Sequence, residues 1–321
     1  MMAFGLVLGL VLLVAGGDLL VRGSVGLAKR FGLSELLIGI VLVGFGTSTP
    51  ELMTSVLAAR DGLSGIAIGN VVGSNTANIL LILGLSALIF PLKVEPAALL
   101  RDGPANALAV GAVAVLAFTG VIGPVAGALL VAGLIAYLVI TYRMERNAHT
   151  PSAEMHRAEA EAVTAQPWFD SLPALLVMAL GGLATILAGA HFLVNAAVEL
   201  AQSLGVSDAV IGVTIVAVGT SLPELVTSVI AALRRQSDIA LGNILGSNIF
   251  NIFGILGVSA MIAPLAVPPE LMALDLWALI GATALLLITC MTGWRICRRE
   301  GALMLVAYVG YMVLIARNAL A

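Results

Sequence analysis

A stretch of 56 residues occurs twice in the chain. Shifting by 173 positions lays Leu37–Leu92 on Val210–Leu265 without a gap, with 32 identities. The register extends upstream, pairing Gly32-Leu33-Ser34-Glu35 with Gly205-Val206-Ser207-Asp208. Apolar windows of about 20 residues, the length needed to cross a bilayer as a helix, can be placed ten times. They fall at 3–21, 35–59, 64–90, 104–120, 122–142, 171–193, 208–232, 238–263, 271–292 and 301–317. Each copy of the repeat holds five, and five is odd. The second copy must therefore enter the membrane from the opposite side, giving inverted repeats related by an axis in the membrane plane. The expected fold is an all-α polytopic membrane protein with ten transmembrane helices in two inverted five-helix repeats. Residues 1–142 form the first repeat, 143–169 a cytoplasmic linker, and 170–321 the second repeat.

Composition agrees. Of 321 residues, 60% are hydrophobic and 10% charged, far from the quarter charged that is usual in soluble domains. A net charge of −3 indicates no nucleic-acid partner, and the partners expected are inorganic cations and the lipid bilayer. Cys290 and Cys297 read as two unpaired thiols. The N-terminus lacks the basic region of a cleavable signal, so the first apolar run is expected to remain as a helix. Threading ten spans puts 13 of the 15 Lys and Arg on one face and leaves Arg60 and Arg317 on the other. By the positive-inside rule the basic face is cytoplasmic. Both termini are then outside a cell inner (plasma) membrane and the 143–169 linker inside, with His149 and His156 solvated.

Two segments are shared most closely. The first, Gly46-Thr47-Ser48-Thr49-Pro50-Glu51, returns as Gly219-Thr220-Ser221-Leu222-Pro223-Glu224. Proline removes a backbone donor and clashes with the preceding turn, and glycine loosens it further. Helices 2 and 7 should therefore break near Thr47–Pro50 and Thr220–Pro223, where unwound backbone is tolerated only if it lines a cavity or an ion. Each break carries a glutamate, and ionisable residues at membrane depth mark functional sites. A buried glutamate can also serve only to lock helices together, but two at repeat-equivalent breaks favour a shared site.

The second segment runs from Gly69 to Asn78 (GNVVGSNTAN) and returns from Gly242 to Asn251 (GNILGSNIFN). Gly69/Gly73 and Gly242/Gly246 form small-xxx-small faces that allow close helix approach. Ser74 and Asn78, like Ser247 and Asn251, stand four apart on one helical face. Asn70, Asn75, Asn243 and Asn248 read as helix-bridging or capping residues. Asp18 is expected to contact Arg22, Glu35 and Asp208 to charge helix N-termini, and Trp168 and Trp277 to belong to interfacial belts. The converging ligands are all oxygens, suiting a hard cation. Two glutamates balance one divalent ion, or two or more monovalent ions or protons in its place. Leaving two carboxylates bare at low dielectric disfavours crossing empty.

These motifs resemble the signature repeats of the Ca²⁺/cation antiporter superfamily, the sodium/calcium exchanger branch in particular. The resemblance implies Ca²⁺ ligation by Glu51 and Glu224 with the carbonyls of Thr47 and Thr220. It also implies Na⁺ sites using Ser48, Ser74, Ser221 and Ser247, with the carbonyls of Gly44 and Ala217, and in-plane positions at Asn78 and Asn251. Exchangers of this branch commonly carry Asp where this chain has Asn251, so a three-acid site becomes a two-acid one. The expected function is secondary antiport of Ca²⁺ against Na⁺ by alternating access, the first and sixth spans sliding against spans 2–3 and 7–8. A proton-coupled divalent-cation antiporter is the alternative. A channel fits inverted repeats around a neutralised site less well. No zinc-binding His-Glu-x-x-His or intramembrane aspartate pair suggests an enzyme. No cofactor is expected; the transported ions are Ca²⁺ and Na⁺ or H⁺.

Overall fold

The computed structural model describes residues 2–31, 33–147, 171–203, 217–269 and 271–320. The first repeat comprises α1 (Met2–Phe31), α2 (Gly39–Thr47, preceded by the turn Glu35–Ile38), α3 (Thr49–Arg60), α4 (Ser64–Ile89), α5 (Pro96–Ala117) and α6 (Pro124–Asn147). The second comprises α7 (Leu172–Ser203), α8 (Ala217–Thr220), α9 (Leu222–Leu233), α10 (Ser237–Ile262), α11 (Leu276–Met291) and α12 (Arg298–Leu320). Eight described helices are long and apolar enough to span a bilayer, and the bent pair α2–α3 makes a ninth. Of the seventh expected span, the part beyond residue 216 is described as α8 and α9. Its beginning, with Asp208, lies outside the described residues, as do His149, His156 and Trp168 of the linker region.

Several expected boundaries shift. The first and sixth windows, 3–21 and 171–193, become helices of 30 and 32 residues. The fourth begins at Pro96 and carries Pro104 inside it. Proline is tolerated in a helix's first turn because its missing N–H would be unbonded there anyway. Four stretches are wound as π-helix: Gly39–Gly44, Asn78–Leu83, Phe250–Leu256 and Leu271–Asp275. Ser34 starts the second span as expected, its Oγ accepting the Leu37 N–H at 3.1 Å.

The repeats interlock by exchange. Strand β1 (Leu92–Lys93) pairs antiparallel with β4 (Arg295–Ile296), and β2 (Val121–Ile122) with β3 (Leu265–Ala266). Each pairing joins one repeat to the other. Glycines do the same at depth. A Cβ on Gly84 of α4 would sit 3.0 Å from the Gly301 carbonyl of α12, and one on Gly127 of α6 would sit 2.5 Å from that of Gly257 in α10. The arms α1 and α7 run antiparallel at similarly close range, Gly9 on Gly189 and Gly16 on Gly182. Where hydrocarbon offers no hydrophobic drive between helices, such backbone contact supplies the dispersion energy that holds them.

The sequence positions that would bury polar groups lie at the centre of this frame. α10 is the most enclosed of the spans, and the exposed large side chains, such as Phe4, Val125 and Val177, face outward as a lipid-facing surface would. Trp277 is exposed near the start of α11, where a belt residue is expected. Cys290 and Cys297 are free thiols.

Candidate cation site between the repeats

The helix break falls where proline and glycine put it. Ser48 leaves the helical region (φ −79°, ψ 12°) between α2 and α3, which meet at 50°. Ser221 does so between α8 and α9 (φ −90°, ψ 7°). Pro50 and Pro223 then sit in the first turns of α3 and α9, and Glu51 and Glu224 follow them at helix N-termini, where the helix dipole favours negative charge.

Both glutamates are buried, Glu51 at 1% and Glu224 at 0% exposure. They are cross-linked by repeat-equivalent serines. Ser221 Oγ donates to Glu51 Oε1 at 3.1 Å, and Ser48 Oγ donates to Glu224 Oε1 at 2.8 Å. Asn70 Nδ2 donates to the Glu51 carbonyl (3.1 Å) and Ser55 Oγ (2.9 Å). Asn243 Nδ2 repeats this with the Glu224 carbonyl (3.2 Å) and Ser228 Oγ (2.8 Å). These amides lock each carboxylate-bearing helix against the following span, as their bridging role predicts. Thr47 Oγ1 donates to Asn243 Oδ1 at 3.2 Å.

One residue beyond Ser74 and Ser247 a second symmetric cluster ties α4 to α10. Asn78 Nδ2 donates to Asn248 Oδ1 at 3.1 Å, Asn251 Nδ2 to Asn75 Oδ1 at 2.9 Å, and Asn75 Nδ2 to the Asn248 carbonyl at 3.1 Å. With their amide nitrogens engaged, Asn78 and Asn251 keep their oxygens unbonded. Glu51 Oε2, Glu224 Oε2, Asn78 Oδ1 and Asn251 Oδ1 are all buried acceptors without a partner. Each would cost several kcal/mol to leave so, and all four are acceptors of the kind a hard cation takes. These are the four side chains that the sequence selects as carboxylate and amide ligands.

The remaining expected ligands fall into two groups. Ser247 Oγ donates to the Gly44 carbonyl at 3.0 Å and lies 3.5 Å from Glu224 Oε1, so the carbonyl and both hydroxyls border one carboxylate. Ser74, 6% exposed, instead lines a cavity of about 260 Å³ that reaches Ser221 and Asn70. Thr220 and Ala217 lie on α8, the counterpart of the turn carrying Thr47.

One expectation is corrected here. The pair Gly242 and Gly246 is a close-packing face: a Cβ on Gly246 would meet the Ile40 carbonyl at 2.5 Å. Gly69 and Gly73 both line the cavity, and among the described residues a Cβ on either meets nothing within 4 Å. Among the described residues the two glycine pairs therefore differ in their surroundings.

Sequence reasoning also missed two polar arrangements. Asp18 pairs with Arg22 as expected (2.9 Å), and in addition with Arg234, fastening α1 to the end of α9. Asp102 and Asp275, again 173 apart, each accept a hydrogen bond from a tyrosine near the end of their repeat, Tyr137 (3.0 Å) and Tyr311 (2.9 Å). Extending the repeat comparison beyond Leu92 would have found them.

The sodium/calcium exchanger protein family model matches residues 1–143 and 174–317. The chain is 38% identical over 339 residues to the sodium/calcium exchanger MaX1 of Methanosarcina acetivorans, covering 97% of each chain. It is 32% identical over 292 residues to the inner membrane protein YrbG of Escherichia coli, covering 90% of this chain and 88% of that one. Among solved structures, the sodium-calcium exchanger NCX_Mj soaked with 2.5 mM Na⁺ and 0.1 mM Ca²⁺ superimposes with a TM-score of 0.83 at 33% identity, covering 98% and 97% of the two chains. The family-model match and the full-length similarity leave one conclusion: this chain is a multi-pass membrane protein of the sodium/calcium exchanger family.

Proposed function

We propose that the protein is a secondary antiporter that exchanges Ca²⁺ for Na⁺ at a single site between its repeats. The observation that carries this reading is the set of four unpartnered buried oxygens on Glu51, Glu224, Asn78 and Asn251. Ca²⁺ takes about 6–8 oxygens at about 2.3–2.6 Å, and the carbonyls near each helix break supplement the four. Two carboxylates neutralise one divalent ion. Na⁺ ions can replace it by drawing on Ser48, Ser221, Ser74 and Ser247, whose hydroxyls border the same carboxylates or the cavity beside them.

The state of the site supports alternating access. On the side of the basic residues, α2 is packed against α10 through Gly39, Gly44, Gly242 and Gly246, and Asp18 holds Arg234. On the opposite side the equivalent glycines face a cavity. Among the described residues one side is packed and the other borders a cavity, which suits a carrier and not a channel or an enzyme. Under the charge-derived orientation, with the 143–169 linker cytoplasmic in a cell inner membrane, the open side is external. Membrane potential would then assist Ca²⁺ extrusion whenever more than two Na⁺ enter per Ca²⁺, at about 2.3 kcal/mol per net charge per 100 mV.

Vesicles reconstituted with the protein test the reading. A Na⁺ gradient at clamped pH should drive Ca²⁺ flux, and a pH gradient without Na⁺ should not. Flux driven by the pH gradient alone would favour the proton-coupled alternative, for which the two-acid site leaves room.

A further inference from the structure

Among the described residues, the cavity that reaches Ser221 and Ser74 has one carboxylate in its wall, Asp275. Its counterpart in the other repeat shows what such a residue ordinarily requires. Asp102 is fully buried, receives two hydrogen bonds from the Arg101 guanidinium (Nε to Oδ1 at 2.7 Å, Nη2 to Oδ2 at 2.8 Å) and one from Tyr137. A carboxylate at membrane depth is held in this way by a paired charge and a donor. Asp275 keeps the donor, Tyr311 Oη at 2.9 Å, but the residue before it is Leu274 and it has no ion pair among the described residues. It is half-buried and faces the cavity instead.

The cavity supplies two further groups. Ser74 is more than nine-tenths buried, lines it, and makes no side-chain hydrogen bond among the described residues. Ser221 also lines it, and its hydroxyl donates to Glu51. A volume of about 260 Å³ accommodates a cation with several waters, at about 30 Å³ per water.

We propose that Asp275, positioned by Tyr311, is a second cation subsite: it holds a partly hydrated Ca²⁺ in the cavity before transfer past Ser74 and Ser221 to Glu51 and Glu224. The missing arginine is then functional, since an internal counter-charge would neutralise the carboxylate that attracts the ion. The proposal rests on the exchange reading above, and the arms of its test separate the two. In vesicles, Asp275→Asn should raise the KM for Ca²⁺ about tenfold while leaving the maximal rate within about twofold. Leu274→Arg, which recreates the Arg101 arrangement, should raise it similarly, and Asp275→Glu should restore it. An unchanged KM in Asp275→Asn, or a lower maximal rate at unchanged KM, overturns the subsite. A second arm needs no transport. Detergent-solubilised protein carrying Glu51→Gln and Glu224→Gln, titrated calorimetrically with Ca²⁺ alone, should retain one weak site that Asp275→Asn removes. Absence of that residual site, or its survival in the triple variant, also overturns the proposal. Failure of wild-type protein to exchange Ca²⁺ for Na⁺ would defeat the exchange reading while the titration still decides the subsite.

Discussion

The two glycine faces of this molecule have the same sequence pattern and opposite surroundings. Gly242 and Gly246 are covered by α2, whose backbone comes within contact distance. Gly69 and Gly73 line a cavity, with nothing within 4 Å of an added Cβ among the described residues. Neighbouring side chains reinforce the difference. Phe45 and Phe250 stack with ring centroids 4.5 Å apart where α2 meets α10. Their repeat counterparts are Val218 and Ala77, and Ala77 lines the cavity. Repeats that share 32 of 56 positions thus have unlike surroundings, and Phe45 and Phe250 against Val218 and Ala77 are substitutions that accompany the difference.

The largest effect should come from breaking what the two sides share. Glu51→Gln or Glu224→Gln removes one carboxylate from a site that needs two, and each should lower exchange by at least about a hundredfold. Protein yield and membrane insertion should be unchanged, as quantitative immunodetection would show. Exchange near the wild-type rate in either variant would contradict a shared site.

A methyl group on each glycine face should act in opposite directions. Gly246→Ala overpacks the packed side at a typical cost of about 1–3 kcal/mol, enough to shift a two-state population about 5- to 150-fold. Gly73→Ala meets open space here but would obstruct closure of the gate on its own side. Leu81 lines the cavity, so Leu81→Cys in a background with Cys290 and Cys297 changed to Ser reports the open state. Thiol labelling should fall with Gly246→Ala and rise with Gly73→Ala.

The second asparagine cluster offers a several-fold effect. Asn251→Asp would add a third acid beside the unpartnered Asn78 oxygen, and Na⁺ dependence of Ca²⁺ uptake should steepen. The smallest effect belongs to the contact at the edge of the closed gate. Asp18 and Arg234 are about one-third exposed, and such pairs contribute about 0–1 kcal/mol. Asp18→Asn should alter exchange by less than about fivefold. Inverted symmetry sharpens that test, because Asp18 and Arg234 map onto His191 and Asp61. When the other gate closes, His191 should approach Asp61, so cysteines at these two positions should cross-link only in the opposite state.

Much of this was legible in the sequence. Glu51 and Glu224 announced themselves as charges beside prolines in apolar runs, and a gapless repeat made them partners. Asn78 and Asn251 followed by helical spacing and family resemblance. What the residues could not convey was which helix faces which across the repeats: the exchange of amide hydrogen bonds between Asn75–Asn78 and Asn248–Asn251 depends on tertiary placement. The π-wound segments escaped because each is only 5 to 7 residues long, little more than a turn and too short to show a change of period. The two-residue strands were too short to show alternation. Asp275 was overlooked because the repeat comparison stopped where identity thinned, although an aspartate persists at the same shift.

Equilibrium Ca²⁺ binding to the purified protein at fixed pH, with Na⁺ as competitor, tests the central claim most directly. The account predicts one high-affinity Ca²⁺ per chain, displaced by Na⁺ and lost in both Glu51→Gln and Glu224→Gln. High-affinity Ca²⁺ binding that persists in either variant, or that Na⁺ does not displace, would contradict it.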